Sequence, residues 1–272
     1  MNFEAFMGRE DERPLDSYPA DGGFVGIFRT IACVGDSLAS GEFEAINMTI
    51  NNRMWLDRYD YSWGQYLARM AGCQVYNFSR GGMTAKEYNQ TFGNNMGYFR
   101  PELAANAYVI ALGVNDLFGR NDPLGTTTDI CLDDWRKNAD TFAGNYAAII
   151  QRYRKIRPEA VFFLVNLPYP QSSEEKVKLA DAHDALLREL TEMFPNTYLI
   201  DLRNYGPAYD EEFKKKYYLG GHMAPTGYLL TAKLILSYID YIIRKNPADF
   251  RFVGLQGFEF ADLNSDHKNF LP

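Results

Sequence analysis

Two stretches far apart in the chain hold residue types that acyl transfer needs. Ser37 stands in "GDSLASGE" (35–42), and His222 stands in "LGGHMAPTGY" (219–228). Ser37 follows Gly35-Asp36 where an apolar run gives way to a turn, a geometry that exposes a hydroxyl and leaves unpaired backbone N–H groups beside it. Two more stretches could furnish hydrogen-bond donors: "NFSRGGMT" (77–84), with Gly82, and "GVND" (113–116), with Asn115. A nucleophile, a base within reach and two or three donors for an oxyanion make up the minimal set for ester or thioester chemistry. Ser37, His222, and donors at Ser37 N–H, Gly82 N–H and the Asn115 amide would fill it.

Each piece also has a plainer reading. Asp36 or Ser37 can simply cap a helix, Gly81 and Gly82 can serve a turn with positive φ, and Asn and Asp are common in loops. His222 is the best placed of the three histidines, on a loop entering a helix with Pro225 in its first turn. His183 falls in a helical stretch beside Asp181 and Asp184 and is expected to face solvent, and His267 lies in the polar tail.

The elements that must position these residues alternate. Short apolar strand-like runs occupy 30–37, 74–82, 107–116, 160–168 and 197–202. Helical patterns occupy 62–72, 132–158, 172–194 and 224–245. Continuous apolar strands separated by helices indicate a parallel sheet covered on both faces, hence a three-layer α/β/α sandwich with a parallel five-stranded sheet. Ligands of such sheets bind outside the carboxyl ends of the strands, and Ser37, Gly82 and Asn115 all fall there. No repeat or linker divides the 272 residues, so one domain spanning 1–272 is expected, with a core at about 28–246 and an extension at each end.

A net charge of −7 offers no basic footprint for nucleic acid or an anionic membrane surface. No apolar run approaches the length that membrane insertion needs. Three widely spaced cysteines, Cys33, Cys73 and Cys131, argue against a disulfide framework and a structural zinc site, and Cys33 reads as a small buried hydrophobe. With a polar, acidic start lacking the form of a signal peptide, a reducing cytoplasm is the simplest compartment.

Taken in order, "GDS", "NFSRGGMT", "GVND" and "GGHMAPTGY" make the chain resemble the SGNH/GDSL hydrolase superfamily across most of its length. The resemblance implies a serine ester hydrolase with a flavodoxin-like sheet, a small-molecule ester substrate and no metal or organic cofactor. It implies Ser37 as nucleophile, His222 as base, and Ser37, Gly82 and Asn115 as the oxyanion hole. One position departs from the pattern. The family's last block is Asp-x-x-His, and the acid's slot here is Leu219. A backbone carbonyl near Leu219 or Gly220 is the favoured substitute as holder of the imidazole. Asp201, at the end of the fifth strand, is the best-placed carboxylate if a side chain does it, unless it merely caps a turn. A weak enzyme, or none, is the third possibility, because loss of the acid can cost about 10⁴ in rate.

The segment 38–63 after Ser37 is rich in Tyr, Trp, Met and Asn and would overhang the serine; such residues suit sugars, an acyl pocket or ordinary packing. Arg80 could meet an anionic group of the substrate, though a surface ion pair is the plainer role, and "NLPYPQ" (166–171) could form a cleft wall. Hydrolysis of small acyl esters, O-acetyl esters of carbohydrates in particular, is the leading expectation. A lysophospholipase or thioesterase with a longer apolar tunnel and a catalytically silent glycan- or acyl-binding module are the alternatives. An FMN binder is disfavoured because the loops lack a Ser/Thr-rich phosphate cradle.

Overall fold

The structure, a computed structural model, describes residues 3–168 and 173–260. His267 and part of "NLPYPQ" lie outside the described residues. In chain order, strand β1 (Thr30–Gly35) is followed by the strands β2 (Glu42–Asn47) and β3 (Asn52–Asp57). Next come β4 (Gln74–Ser79), β5 (Ala107–Ala111), β6 (Val161–Val165) and β7 (Thr197–Ile200), then the two-residue strands β8 (Tyr218–Leu219) and β9 (His222–Met223). Five of these form one parallel sheet in the order β4-β1-β5-β6-β7, while β2 pairs with β3 and β8 with β9, both antiparallel. The order reverses at β1, with β4 on one side and β5 on the other, which opens a crevice at the strand ends there.

The inner strands β1, β5 and β6 are apolar on both faces, and the two-residue period of the sheet's strands splits the core into two layers. Ala32, Val34, Phe78, Tyr108, Ile110, Phe162 and Leu164 face the helices Phe142–Ile156 and Glu174–Met193. Ile31, Cys33, Val75, Val109, Phe163 and Ile200 face the helices Trp63–Ala71 and Pro225–Lys245. The expected three-layer α/β/α fold is therefore present, with Cys33 buried and all three cysteines free. Among the described residues, no helix is long and apolar enough to cross a membrane.

Three expectations change. The helix expected over 132–158 begins only at Phe142, where the Thr141 hydroxyl accepts from Gly144 N at 3.2 Å. Upstream, Asp134 caps a separate turn, Trp135–Lys137, and the Asn138 amide donates to Gly144 O at 2.9 Å. Short polar side chains thus outcompete the helix for backbone partners. The segment after Ser37 is a built β2–β3 hairpin, whose two strands are joined at Asn47–Asn52. His183 is fully buried instead of solvent-facing, with its ring against Phe142 (centroids 5.3 Å apart), and burial pushes its pKa down to about 4. The acids beside it in sequence point elsewhere on the helix: Asp181 pairs with Arg203 and Asp184 with Arg188.

Candidate active site

β1 runs out at Gly35, and Asp36 turns the chain into the short helix Ser37–Ser40. The Asp36 carboxylate accepts from Leu38 N at 2.9 Å, a cap of the kind that stabilises a helix start by about 1 kcal/mol. Ser37 opens that helix, so its amide has no intrahelical acceptor. Asp36 is buried, and desolvation raises its carboxyl to about 7 despite the Leu38 bond.

At the end of β4 the chain passes Arg80 and Gly81 to Gly82, which has φ +71° and no atom within 4 Å of a would-be Cβ. No hydrogen-bond acceptor for its amide is found among the described residues. Arg80 stacks its guanidinium over Phe92, 4.7 Å from the ring centroid, and makes no ion pair among the described residues. After β5, Gly113 takes φ +133°, and a Cβ there would stand 2.9 Å from His183 Nε2. That glycine turns the chain so that Asn115 Nδ2 reaches Asp36 Oδ2 at 3.3 Å and Met83 O at 3.2 Å. Beside it Asp116 Oδ1 accepts from Ala85 N at 2.8 Å, which ties this turn to the one holding Gly82. Desolvation raises Asp116 to about 6. The ends of β1, β4 and β5 are thereby bound into one platform.

His222 arrives from the opposite side of the chain's length. β8 and β9 are joined by Gly220 and Gly221, with Gly220 at φ +66°, and Pro225 opens the long helix that follows. β9 packs against both the Ser37–Ser40 helix and β2. The Tyr228 hydroxyl, one turn into the long helix, lies 2.5 Å from Glu42 O and 3.4 Å from Ser37 O, so it pins the hairpin's first residue to the serine's turn.

Among the described residues no backbone carbonyl accepts a hydrogen bond from the imidazole. Nε2 is 3.0 Å from Glu42 Oε1, and Nδ1, which has no partner at ideal hydrogen-bond geometry, is 3.6 Å from Glu44 Oε2. Asp201 is engaged elsewhere. It caps the helix Leu202–Tyr205 through Asn204 N at 3.0 Å, accepts from Asn166 Nδ2 at 2.8 Å and pairs with Arg188. Those bonds hold its carboxyl below the ordinary range even though burial opposes them. The capping role weighed for it is the one observed. Glu42 and Glu44 are residues that sequence reasoning missed. Their spacing of two in "EFE" was the available signal, because it puts both carboxylates on one face of a strand.

Beside this site lies a cavity of about 570 Å³, lined by Leu38, Leu112, Val114, Phe118, Leu167 and Tyr218 among others, with Lys176 and Lys214 also on its wall. Among the described residues no cluster of three or more His, Cys, Asp or Glu could hold a metal ion.

Residues 33–230 match the GDSL-like lipase/acylhydrolase family. The chain belongs to that family and is an ester hydrolase of GDSL type. No curated protein matches it in sequence. Among solved structures it is similar to a family two carbohydrate esterase from Clostridium thermocellum, solved in complex with cellohexaose. That similarity has 16% identity and a TM-score of 0.54, over 88% of this chain and 66% of the other. It is also similar to a family 3 carbohydrate esterase from the same organism (16% identity, TM-score 0.51, 79% of this chain and 97% of that one). A protein from Lactobacillus plantarum is a third such structure (18% identity, TM-score 0.56, 78% and 97%). At these identities the likeness is one of fold.

Proposed function

We propose that the protein hydrolyses small acyl esters of carbohydrates, O-acetyl groups in particular, through Ser37 and His222. What carries this reading is the convergence of Ser37, Gly82 and Asn115 at three neighbouring strand ends, with the His222 hairpin packed on the serine's turn. In the reaction Ser37 Oγ attacks the ester carbonyl and His222 takes the hydroxyl proton. The oxyanion is held by the amides of Ser37 and Gly82 and by Asn115 Nδ2, which exchanges its long contact to Asp36 for the substrate. His222 then delivers its proton to the leaving alcohol. Water, activated by the same imidazole, releases the acid and restores the serine.

The sugar half of the reading rests on the hairpin. Trp55 sits directly opposite Glu44 in the β2–β3 register and is 54% exposed, and Tyr61 follows at 46%. Directly opposed residues of an antiparallel pair project to one face, so Trp55 stands beside the carboxylates that flank His222. A half-exposed indole opposite Glu44 is a platform for the apolar face of a sugar ring. The carbohydrate esterases among the similar structures agree with this choice. The apolar cavity favours a second reading, a longer acyl chain.

A chain-length series of p-nitrophenyl esters beside an acetylated oligosaccharide separates the two. Acetate should be preferred to octanoate, and Trp55→Ala should lower the oligosaccharide-to-p-nitrophenyl acetate ratio of kcat/KM by about tenfold, or 1.4 kcal/mol. A preference for octanoate with an unmoved ratio favours the lipase-like reading instead.

A further inference from the structure

We propose that Glu44, from the hairpin that follows the nucleophile, is the positioning carboxylate for His222, taking over the role for which Leu219 leaves no acid. This rests on the reading of Ser37 and His222 as nucleophile and base. Leu219 pairs directly with His222 in the β8–β9 hairpin, and its side chain is half exposed. Glu44 approaches from the other side, on a strand packed against β9.

Two carboxylates bracket the ring, and they differ in how they are held. Glu44 is fixed from two directions, by Arg53 Nε at 2.8 Å from Oε1 and by Gly221 N donating to Oε2 at 2.6 Å, and Oε2 so held lies 3.6 Å from His222 Nδ1. The Gly221 N–H and the nearby guanidinium keep its carboxyl below the ordinary range, so it is an anion wherever the enzyme would work. Glu42 has His222 as the sole side-chain partner of its carboxylate among the described residues, and desolvation raises its pKa. An anchored anion can orient an imidazole; an unanchored, readily protonated one can be displaced by a substrate. The glycines complete the device. A Cβ on Gly220 would lie 2.7–2.9 Å from the Glu44 carboxyl group, and one on Gly221 would lie 3.0 Å from Oε2. The "GG" before His222 thus makes room for an acid that arrives from 177 residues upstream, the separation of the Gly221–Glu44 hydrogen bond.

The other titratable groups around the ring leave the assignment in place. Arg53 on β3 already answers Glu44, and Asp57 on the same strand accepts from Ser40 Oγ at 3.0 Å. The partly buried Tyr218 on β8 and the buried Tyr228 on the long helix have phenol pKa values raised by desolvation and are hence neutral. Asp36 lies beyond the serine, with Leu38 and Asn115 as its partners.

The test compares Glu44→Gln, Glu44→Asp, Glu42→Gln and Ser37→Ala in p-nitrophenyl acetate hydrolysis from pH 5 to 9, alongside ¹⁵N NMR of the His222 ring. Glu44→Gln should lower kcat about 10²- to 10⁴-fold with KM moving less than about threefold, in the range seen for triad acids. Its acid limb should move to lower pH because a neighbouring negative charge is lost. Glu44→Asp should recover part of the rate, and Glu42→Gln should raise kcat/KM by freeing Nε2. In the wild type above the acid limb, the NMR should place the neutral ring's proton on Nδ1, with a tautomer mixture in Glu44→Gln. If Ser37→Ala abolishes activity while Glu44→Gln keeps it within threefold at an unmoved limb, the hydrolase reading stands and Glu44 is only a partner of Arg53. If Glu42→Gln shows the loss instead, the assignment is overturned in favour of Glu42. If Ser37→Ala is as active as wild type, the hydrolase reading fails and the tautomer alone decides: a wild-type proton on Nε2 overturns the Glu44 assignment, as it also does should Glu44→Gln not fold.

Discussion

The Glu44 carboxyl carbon lies so close over Gly220 that a Cβ at that position would stand 2.7 Å from it. Gly220 also has φ +66°, where an L-residue is strained by about 1 kcal/mol or more. Gly220→Ala should therefore cost both stability, by about 1–3 kcal/mol, and activity, by pushing the carboxylate off His222. Urea unfolding and kcat, measured on one preparation, check this. Gly72 is the internal control, since it too has a positive φ (+65°) but meets nothing within 4 Å. Gly72→Ala should lose stability only.

Asn115 should act in the transition state more than in the ground state, because an oxyanion must draw its amide from Asp36 and Met83. Asn115→Ala should lower kcat about 10²- to 10³-fold, the range for one oxyanion donor, with KM nearly constant. A loss confined to KM would make Asn115 a binding residue instead.

Asp36 carries a pH signature. Its carboxyl titrates at 3.8 in an unperturbed chain and at about 7 in the fold, so between those values the folded state holds a proton the unfolded state has released. Unfolding free energy then falls as pH rises through that window. His183, lowered from 6.5 to about 4, acts oppositely: its neutral form is favoured by the fold, and stability is lost as pH falls through that range. The difference between wild type and Asp36→Asn isolates the first effect. The advantage of Asp36→Asn in denaturant should grow by about 1 kcal/mol per unit between pH 5.5 and 6.5 and level off above about 7. A pH-independent difference contradicts the raised carboxyl.

Asp201 belongs to a structural cluster with Asn166, Asn204 and Arg188. Asp201→Asn should lower the melting temperature through the weakened cap and the lost ion pair while kcat/KM stays within about threefold. A fall of hundreds-fold at unchanged stability would return Asp201 to the role of triad acid.

How much of this was legible beforehand follows from the range of each signal. β1, β5 and β6 were visible because strands buried on both faces read as unbroken apolar runs, the edge strands β4 and β7 through shorter apolar stretches, and Ser37, Gly82 and Asn115 because they follow the strand ends. The start of the helix at Phe142 was misjudged because Thr141 and Asn138 act through side-chain bonds that hydrophobic periodicity does not record. His183 looked exposed between two aspartates, yet a helix separates neighbours by about 100°, and the ring turns inward under Gly113. Glu44 was hidden for a different reason. Its partner is far along the chain, and the sequence near His222 shows only the space left for it, two glycines.

Every catalytic role assigned above depends on Ser37 being the nucleophile that His222 activates. Reaction with a p-nitrophenyl alkylphosphonate, in which Ser37 Oγ would bond to phosphorus as p-nitrophenolate leaves, reports this by peptide mass spectrometry. One adduct on the peptide bearing Ser37 is expected, absent from Ser37→Ala and formed at least a hundredfold more slowly in His222→Ala. An adduct on another residue, or equal labelling of wild type and His222→Ala, would contradict it.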